Sequence, residues 1–359
     1  MNYRVRYIDG LRGIAIIFVV LFHGYSRWSS TEPFEQADFL IKTFGYGWLG
    51  VNLFFAISGY VIYMSILRSD NLIMFSVARY LRLLPAMLIA SIIIYFSSHL
   101  IPERPHGSSN LIDFLPSLTF IGPGLLSKIT GLEIRSLDGA FWSLYVEVKF
   151  YFVVAATFFI FKDKNLNLLL ILFMAWLCLS AVQYLINAEN IFISLLLKIM
   201  NFLSIKYYGW FLIGVCAFKF NSHRTLFNLL ILLLITFLAI FTTEFGNKQT
   251  TFAASLAAIL FLMPLFLAWI RSILSSKLLL FFGFISYPLY LVHQNIVTGL
   301  AIKLHNAFPS VPAFLYPLPF IILVIFIAFI IAKLEPLLKI RLRSFLSDKI
   351  FGYEVYKRN

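Results

Sequence analysis

The chain has 359 residues, of which 61% are hydrophobic and 13% are charged, and its mean hydropathy is +0.89. Soluble proteins carry about 25% charged residues, so this composition excludes a soluble globular domain and indicates an integral membrane protein. The net charge of +13 does not indicate nucleic-acid binding. The basic residues lie between apolar runs and near the C-terminus, where anchoring at the inner membrane surface accounts for them.

Ten apolar stretches each approach the length of about 20 residues that a helix needs to cross a bilayer. The sequence therefore predicts an all-α integral membrane protein, a bundle of about ten transmembrane helices. The sixth stretch is short, and the neighbouring segment Ile191–Phe202 is predicted to be interfacial or re-entrant. The expected spans lie near residues 8–27, 48–67, 84–101, 142–161, 166–187, 206–221, 225–243, 250–271, 279–301 and 313–334.

The distribution of Lys and Arg predicts that both termini are cytoplasmic. With the N-terminus inside, eighteen of these residues fall on the inner side and nine on the outer side, and Arg12 and Lys149 within spans complete the 29. We expect residues 1–338 to form one transmembrane domain. Residues 339–359 are expected to form a basic cytoplasmic tail, a helix on the surface of the inner leaflet.

Arg12 and His23 lie in one apolar run, in the first predicted span. Both side chains fall on one helix face, because eleven residues at about 100° each make three turns plus roughly 20°. They are about 16 Å apart along the helix axis. Ionisable groups are costly inside a membrane, so this face predicts a functional site with a cation near the inner surface and a titratable base in the outer half.

Glu147 and His293 are predicted to share the depth of His23. Glu147 lies about two turns below the outer surface in the fourth span, and His293 lies in the outer half of the ninth. A carboxylate this deep in a span is costly without a task. The alternatives are that Glu147 pairs with Lys149 or another cation, and that His293 is an ordinary core histidine.

Arg79 and Arg82 are predicted to share the inner level with Arg12. Their i, i+3 spacing places two guanidinium groups side by side on a helix, which suits phosphate binding. Ordinary positive-inside anchoring just before the third span explains the pair nearly as well. In the second span, Ser58 and Gly59 are expected mainly to let a neighbouring helix approach closely.

Five segments carry most of this information and follow one another along nearly the whole chain. They are Tyr7-Ile-Asp-Gly-Leu-Arg-Gly13 with His23, Gly50-Val-Asn-Leu-Phe-Phe-Ala-Ile-Ser-Gly-Tyr60, Ala78-Arg-Tyr-Leu-Arg-Leu-Leu-Pro85, Trp142-Ser-Leu-Tyr-Val-Glu147 with Phe150-Tyr151, and Ser286-Tyr-Pro-Leu-Tyr-Leu-Val-His293. Together, and in this order, they resemble the membrane acyltransferase family 3, the group that includes O-antigen and exopolysaccharide O-acetyltransferases.

Two departures from that family stand out. The family often has a second acidic residue and then Gln after its Glu, where this chain has Val148 and Lys149. Many members carry an appended esterase-like soluble domain, and we expect this chain to be a stand-alone form without it.

The resemblance implies transfer of an acyl group, usually acetyl from acetyl-CoA, to a hydroxyl of a cell-surface glycan such as O-antigen or exopolysaccharide. A sugar hydroxyl is a poor nucleophile, and an imidazole is well suited to be the general base that it needs. We therefore expect His23, Glu147 and Arg12 to be catalytic. In this hypothesis His23 is the base, and Glu147 orients His23 or holds the acceptor.

The anionic donor is expected to bind at the inner level, where Arg12, Arg79 and Arg82 would hold its phosphates. Acetyl-CoA is thus a co-substrate, and neither a bound cofactor nor a metal is expected. Candidates for binding the acceptor or supporting the site are Asp9, Ser58, Trp142, Ser143, Tyr287 and His293.

Two other classes of protein share some of these features. A set of His, Glu and Arg inside the membrane also suits a proton-coupled exporter or flippase of a lipid-linked sugar or small metabolite. That class often has paired internal repeats and broken helices in both halves, and the sequence indicates neither. A glycan polymerase would carry a large outer loop with several arginines, whereas residues 102–141 hold only Arg104 and Arg135.

The expected partners are acetyl-CoA, a glycan or lipid-linked sugar acceptor, and the bilayer of the bacterial inner membrane. The sequence leaves the identity of the acceptor and the oligomeric state open.

Overall fold

The structure is a computed structural model that describes residues 5–31, 33–34, 38–186, 190–244 and 246–346. Within these ranges the chain forms helices and no β-strand. Arg4, Lys349, Lys357 and Arg358 of the charge count, and residues 347–359 of the predicted tail, lie outside the described residues. The helices are α1 Arg6–Tyr25, α2 Asp38–Phe44, α3 Leu49–Ile66, α4 Leu72–Leu100, α5 Phe114–Thr119, α6 Pro123–Thr130, α7 Trp142–Phe161, α8 Asn165–Ile186, α9 Ile191–Phe202, α10 Tyr208–Ser222, α11 Leu226–Thr243, α12 Lys248–Phe266, α13 Ala268–Leu274, α14 Lys277–Ala307 and α15 Leu318–Leu346.

The described part of the chain has nine helices long and apolar enough to cross a membrane. Helix α9 and the segment Ile205–Ser222, which includes α10, pass the same test together but are bent by 65° at the break between them, which makes the count ten if they form one span. The prediction of an all-α, multi-pass membrane protein is confirmed. The orientation of the termini stays a prediction.

Several helices differ in length from the predicted spans, and α14, for example, is longer than its span at both ends. Helix α4 begins at Leu72, so that Arg79 and Arg82 lie inside it, because hydropathy marks only the apolar part of a helix and Arg is a good helix former. The predicted span 250–271 ends at Phe266, and Leu267 is extended. Pro264 removes one amide donor just before this break. Helix α15 continues to Leu346, through the start of the predicted tail.

The chain divides into two compact units. The first unit comprises Met1–Val19, Tyr46–Ser76 and Ser143–Gly283. The second comprises Val20–Gly45, Val77–Trp142 and Phe284–Asn359.

In the first unit, α3 packs against α10 through glycine on each helix. A Cβ atom added to Gly59 would lie 1.9 Å from the carbonyl oxygen of Phe211, and one added to Gly214 would lie 1.9 Å from that of Ala56. Small residues let helix backbones approach closely where lipid supplies no hydrophobic driving force between helices. The prediction that Gly59 allows such an approach is confirmed.

Glycines also set the packing of α1 in the first unit. A Cβ atom added to Gly10 would lie 1.8 Å from the carbonyl oxygen of Leu274, and one added to Gly283 would lie 2.0 Å from that of Asp9. Gly13 makes a similar approach to Leu279. The segment that carries Arg12 is therefore held against the end of α13 and the start of α14.

In the second unit, the last turn of α1 packs on α14 and α15. Gly24 faces the side chains of Val297 on α14 and Ile321 on α15, both at van der Waals distance from where a Cβ would be. Tyr287 on α14 donates a hydrogen bond of 2.9 Å to the carbonyl oxygen of Leu83 on α4. These contacts position the turns of α1 and α14 that carry histidines.

We expect Gly59→Ala to destabilise the protein by about 2 kcal/mol, because the added methyl group meets backbone and one helix has to move. The measurement is thermal unfolding in detergent micelles. The matched control is Gly124→Ala in α6, where nothing lies within 4 Å of the added Cβ and where alanine is the better helix former. Equal unfolding temperatures for the two variants would contradict the packing described here.

Candidate functional site

Two histidines are in direct contact within the second unit. The Nε2 atom of His293 on α14 lies 3.1 Å from the Nδ1 atom of His23 on α1. The ring centroids are 4.8 Å apart, and the ring planes are inclined by 74°. His293 is 1% exposed, and its Nδ1 atom lies 2.9 Å from the carbonyl oxygen of Tyr290 and 3.2 Å from that of Leu289. The structure thus joins two histidines that the sequence placed at one depth.

A chain of hydrogen bonds supports this pair from the segment before α7. Tyr290 donates its hydroxyl to the carbonyl oxygen of Ala140 at 2.8 Å. The amide of Ala140 donates to one oxygen of Asp138 at 2.8 Å, and Asn295 donates to the other oxygen at 2.6 Å. Sequence reasoning missed Asp138 and Asn295. One signal was present, since Asp is a preferred residue just before the first turn of a helix.

Asp138 and Arg104 form a buried pair of charges outside the membrane spans, at 1% and 3% exposure. Burial raises the pKa of Asp138, and its hydrogen bonds and the nearby Arg104 oppose that shift. Burial lowers the pKa of Arg104, and Asp138 opposes that shift. Arg104 also donates to the carbonyl oxygens of Ile94 and Leu137 at 3.1 and 2.7 Å. The sequence reading counted Arg104 as a loop cation, but it is part of a buried network.

Glu147 is the hydrogen-bond acceptor of a second cluster, in the first unit. Ser58 on α3 and Tyr151, one turn along α7, both donate their hydroxyls to the same carboxylate oxygen. The alternative of a Glu147–Lys149 pair does not occur, because Lys149 donates to Ser204 at 3.3 Å instead. The sequence named Ser58 as a supporting candidate but did not single out Tyr151. The contact predicted between Glu147 and His23 joins residues of different units and stays a prediction.

Arg12 forms an ion pair with Asp9, one turn earlier on α1. The Nη1 atom of Arg12 lies 3.2 Å from an oxygen of Asp9. Both side chains are largely withdrawn from solvent. Buried charges need such partners, so Asp9 is placed to compensate the charge of Arg12 inside the protein.

A group of charged residues in the second unit brings together α4 and α15. Lys339 lies within electrostatic reach of Glu335, Arg79, Arg82 and Arg343, and Glu335 is also close to Arg82. We call these five residues the basic cluster. Four cations and a single carboxylate leave an excess of positive charge that suits an anion. Sequence reasoning found the two arginines of α4 but assigned Lys339 and Arg343 to a separate tail.

The remaining candidates have structural contacts of their own. Trp142 and Ser143 are the first two residues of α7, where Trp142 is exposed and Ser143 is buried. Tyr287 ties α14 to α4 next to the arginine pair. None of these observations assigns a chemical role to Trp142, Ser143 or Tyr287.

A comparison with known protein families shows the class of protein to which the chain belongs. The family profile described as an acyltransferase domain matches residues 5–333. The chain belongs to this family, the membrane acyltransferase family 3 that the five sequence segments indicated.

Curated relatives of the chain are O-acetyltransferases. The chain is 28% identical over 182 residues to the O-acetyl transferase of Shigella phage Sf6, covering 48% of this chain and 51% of the relative. It is 28% identical over 208 residues to O-acetyltransferase OatA of Staphylococcus aureus, covering 52% of this chain and 32% of the relative. It is 27% identical over 188 residues to the peptidoglycan O-acetyltransferase OatA of Listeria monocytogenes, covering 49% of this chain and 28% of the relative.

The matches thus span about half or less of the length of these relatives. No solved structure matches the chain.

We expect Asp138→Ala to destabilise the protein by about 3 kcal/mol. The change removes the acceptor for two hydrogen bonds and leaves the amide of Asn295 and the charge of Arg104 buried without it. Thermal unfolding in detergent micelles measures the effect.

The control for this change is Asp38→Ala, which removes a carboxylate from an ion pair with Lys42. Both side chains of that pair are 76% exposed, and exposed pairs contribute little to stability. If both variants unfold at the wild-type temperature, the buried network does not stabilise the fold.

Proposed function

We propose that the protein is a membrane O-acyltransferase that moves an acetyl group from cytoplasmic acetyl-CoA to a hydroxyl of a cell-surface glycan, in the bacterial inner membrane. Its family and the names of its relatives support acyl transfer to oxygen. The observation that supports the assignment of the site is the hydrogen bond between His23 and His293. Through this bond, His23 is a titratable base held in a defined orientation between two membrane-spanning helices.

In the proposed reaction, His23 is the general base. It takes the proton of the acceptor hydroxyl while the hydroxyl oxygen attacks the thioester carbonyl. A carbon–oxygen bond forms, the carbon–sulfur bond breaks, and the CoA thiolate takes the proton back from His23. An imidazole can accept and return a proton near neutral pH, which this sequence requires.

The basic cluster is the proposed site for the phosphates of the donor. Phosphate groups favour several cationic side chains with directed N–H groups, and arginine supplies them in pairs. Arg79, Arg82, Lys339 and Arg343 provide four cations on two helices of one unit. Arg12, already paired with Asp9, is proposed to contribute to donor binding and to catalysis.

Glu147 is the proposed acceptor-holding residue. Two hydroxyl groups already donate to one of its oxygens, and a carboxylate has further lone pairs with which it can accept from a sugar hydroxyl. A surface glycan is the acceptor class we favour, because one relative is named as acting on peptidoglycan. Within this class, we propose O-antigen or exopolysaccharide as the acceptor.

Mass analysis of surface glycans tests the proposed function directly. Cells with the protein should show an added acetyl group on a glycan, and cells without it should not. Identical glycans in both strains, together with no CoA release from acetyl-CoA by the purified protein, would rule the proposal out.

We expect His23→Ala to lower the rate of CoA release by about 10²- to 10⁴-fold, the range of general-base catalysis. Binding of acetyl-CoA should persist, because the basic cluster is unchanged. The assay mixes purified protein, acetyl-CoA and glycan and follows free thiol. His99→Ala, at an exposed position near the end of α4, is the control and should keep wild-type activity. Full activity in His23→Ala would exclude this residue as the base.

We expect Arg343→Ala and Arg82→Ala to raise the apparent KM for acetyl-CoA about five- to tenfold with kcat little changed, because each removes a phosphate-binding cation. Arg341→Ala is the matched control for Arg343→Ala. It lies on the same helix and is exposed, and it is not among the residues that act on Lys339. Equal KM values for the two α15 variants would place the donor elsewhere.

A further inference from the structure

We propose that His293 is a positioning residue that sets the tautomer of His23, so that Nδ1 of His23 carries the proton and Nε2 is the basic nitrogen. This inference rests on the proposed function for its catalytic meaning. Its structural part is the position of one ring hydrogen on His293 and one on His23, which can be tested without a substrate.

The first step concerns Nδ1 of His293. Its two neighbours are the carbonyl oxygens of Leu289 and Tyr290, at 3.2 and 2.9 Å. A carbonyl oxygen can only accept a hydrogen bond. The Nδ1 atom of His293 therefore carries a hydrogen and donates it.

The second step concerns Nε2 of His293. A buried imidazole is cheaper to keep neutral than charged, and His293 is 1% exposed. With its hydrogen on Nδ1, a neutral ring has only a lone pair on Nε2, so that atom has to accept. Its partner at 3.1 Å is Nδ1 of His23, which therefore donates. The neutral form of His23 then has its lone pair on Nε2.

The third step concerns what holds His293 in place. Tyr290, one turn before it, is hydrogen-bonded to Ala140, and Asn295, just after it, is hydrogen-bonded to Asp138. Asp138 also binds the amide of Ala140. The turn of α14 that carries His293 is thus tied on both sides to one short segment. Such ties limit rotation of the helix and keep Nε2 directed at His23.

This arrangement also acts during the reaction. When His23 accepts a proton on Nε2, its positive charge is shared with the Nδ1–H group that donates to His293. A group that orients a catalytic histidine and stabilises its charged form is a general feature of base catalysis. Here that group is a neutral imidazole.

Three substitutions separate positioning from packing. A glutamine at position 293 places an amide oxygen near the position of Nε2, whereas asparagine reaches only the position of Nδ1, and leucine offers no acceptor. We expect His293→Asn and His293→Leu to lower kcat about 10²-fold or more, with the KM for acetyl-CoA within twofold of wild type. His293→Gln should retain kcat within tenfold. Equal loss in the Gln and Asn variants, or wild-type kcat in the Leu variant, would overturn the proposal.

A spectroscopic measurement reads the tautomer itself. The protein has six histidines, so nitrogen-15 labelling of histidine gives few signals, and those lost in His23→Gln belong to His23. In wild-type protein in detergent micelles we expect Nδ1 of neutral His23 to show the shift of a protonated nitrogen and Nε2 that of an unprotonated one. His293→Leu should lose this preference.

A wild-type His23 with its hydrogen on Nε2 would overturn the proposal whatever the activity. Failure of the proposed function alone would look different. The protein would then release no CoA with any acceptor, while the tautomer of His23 remained as expected.

Discussion

Lipid offers no hydrogen-bond partner, so a polar side chain inside a membrane-spanning helix has to be satisfied by the protein itself. Polar residues within each unit obey this constraint in different ways. His293 uses two backbone carbonyls and a second imidazole, and Glu147 uses two hydroxyls. Arg12 uses a carboxylate one turn away on its own helix. The partners limit the orientation of each group, which is what the proposed chemistry requires.

The helical fold could be predicted from the sequence, and Arg12, His23, Glu147 and His293 could be singled out as candidates, because hydropathy and helical spacing are local properties. His23 and Glu147 stand out within single apolar runs, without knowledge of any other helix. Asp138 and Asn295 could not be found in this way, because they meet across 157 residues of chain and each looks ordinary in its own segment. Lys339 was not grouped with Arg79 and Arg82, because a change in composition placed it in the predicted tail, whereas α15 continues through it.

Glycine decides how closely the helices of the first unit approach. Gly59 and Gly214 bring two backbones into contact where any side chain would keep them apart. Helix α3 also carries Ser58, whose hydroxyl donates to Glu147. The neighbouring Gly59 fixes the position of the backbone at this point, and therefore also the position of that hydroxyl. Packing and hydrogen bonding are therefore coupled at adjacent residues, and a change in one is expected to move the other.

The length of α15 has a consequence for where the proposed donor would bind. Its 29 residues extend about 44 Å, whereas the hydrocarbon core of a bilayer is about 30 Å thick. Even with an ordinary tilt the helix is longer than the bilayer core, so we expect its charged end to lie among the lipid headgroups. Lys339 and Arg343 lie about 32 and 38 Å from the first residue of the helix. A phosphorylated molecule could meet these cations in hydrated surroundings, without losing its own water to hydrocarbon, and insert only its uncharged arm.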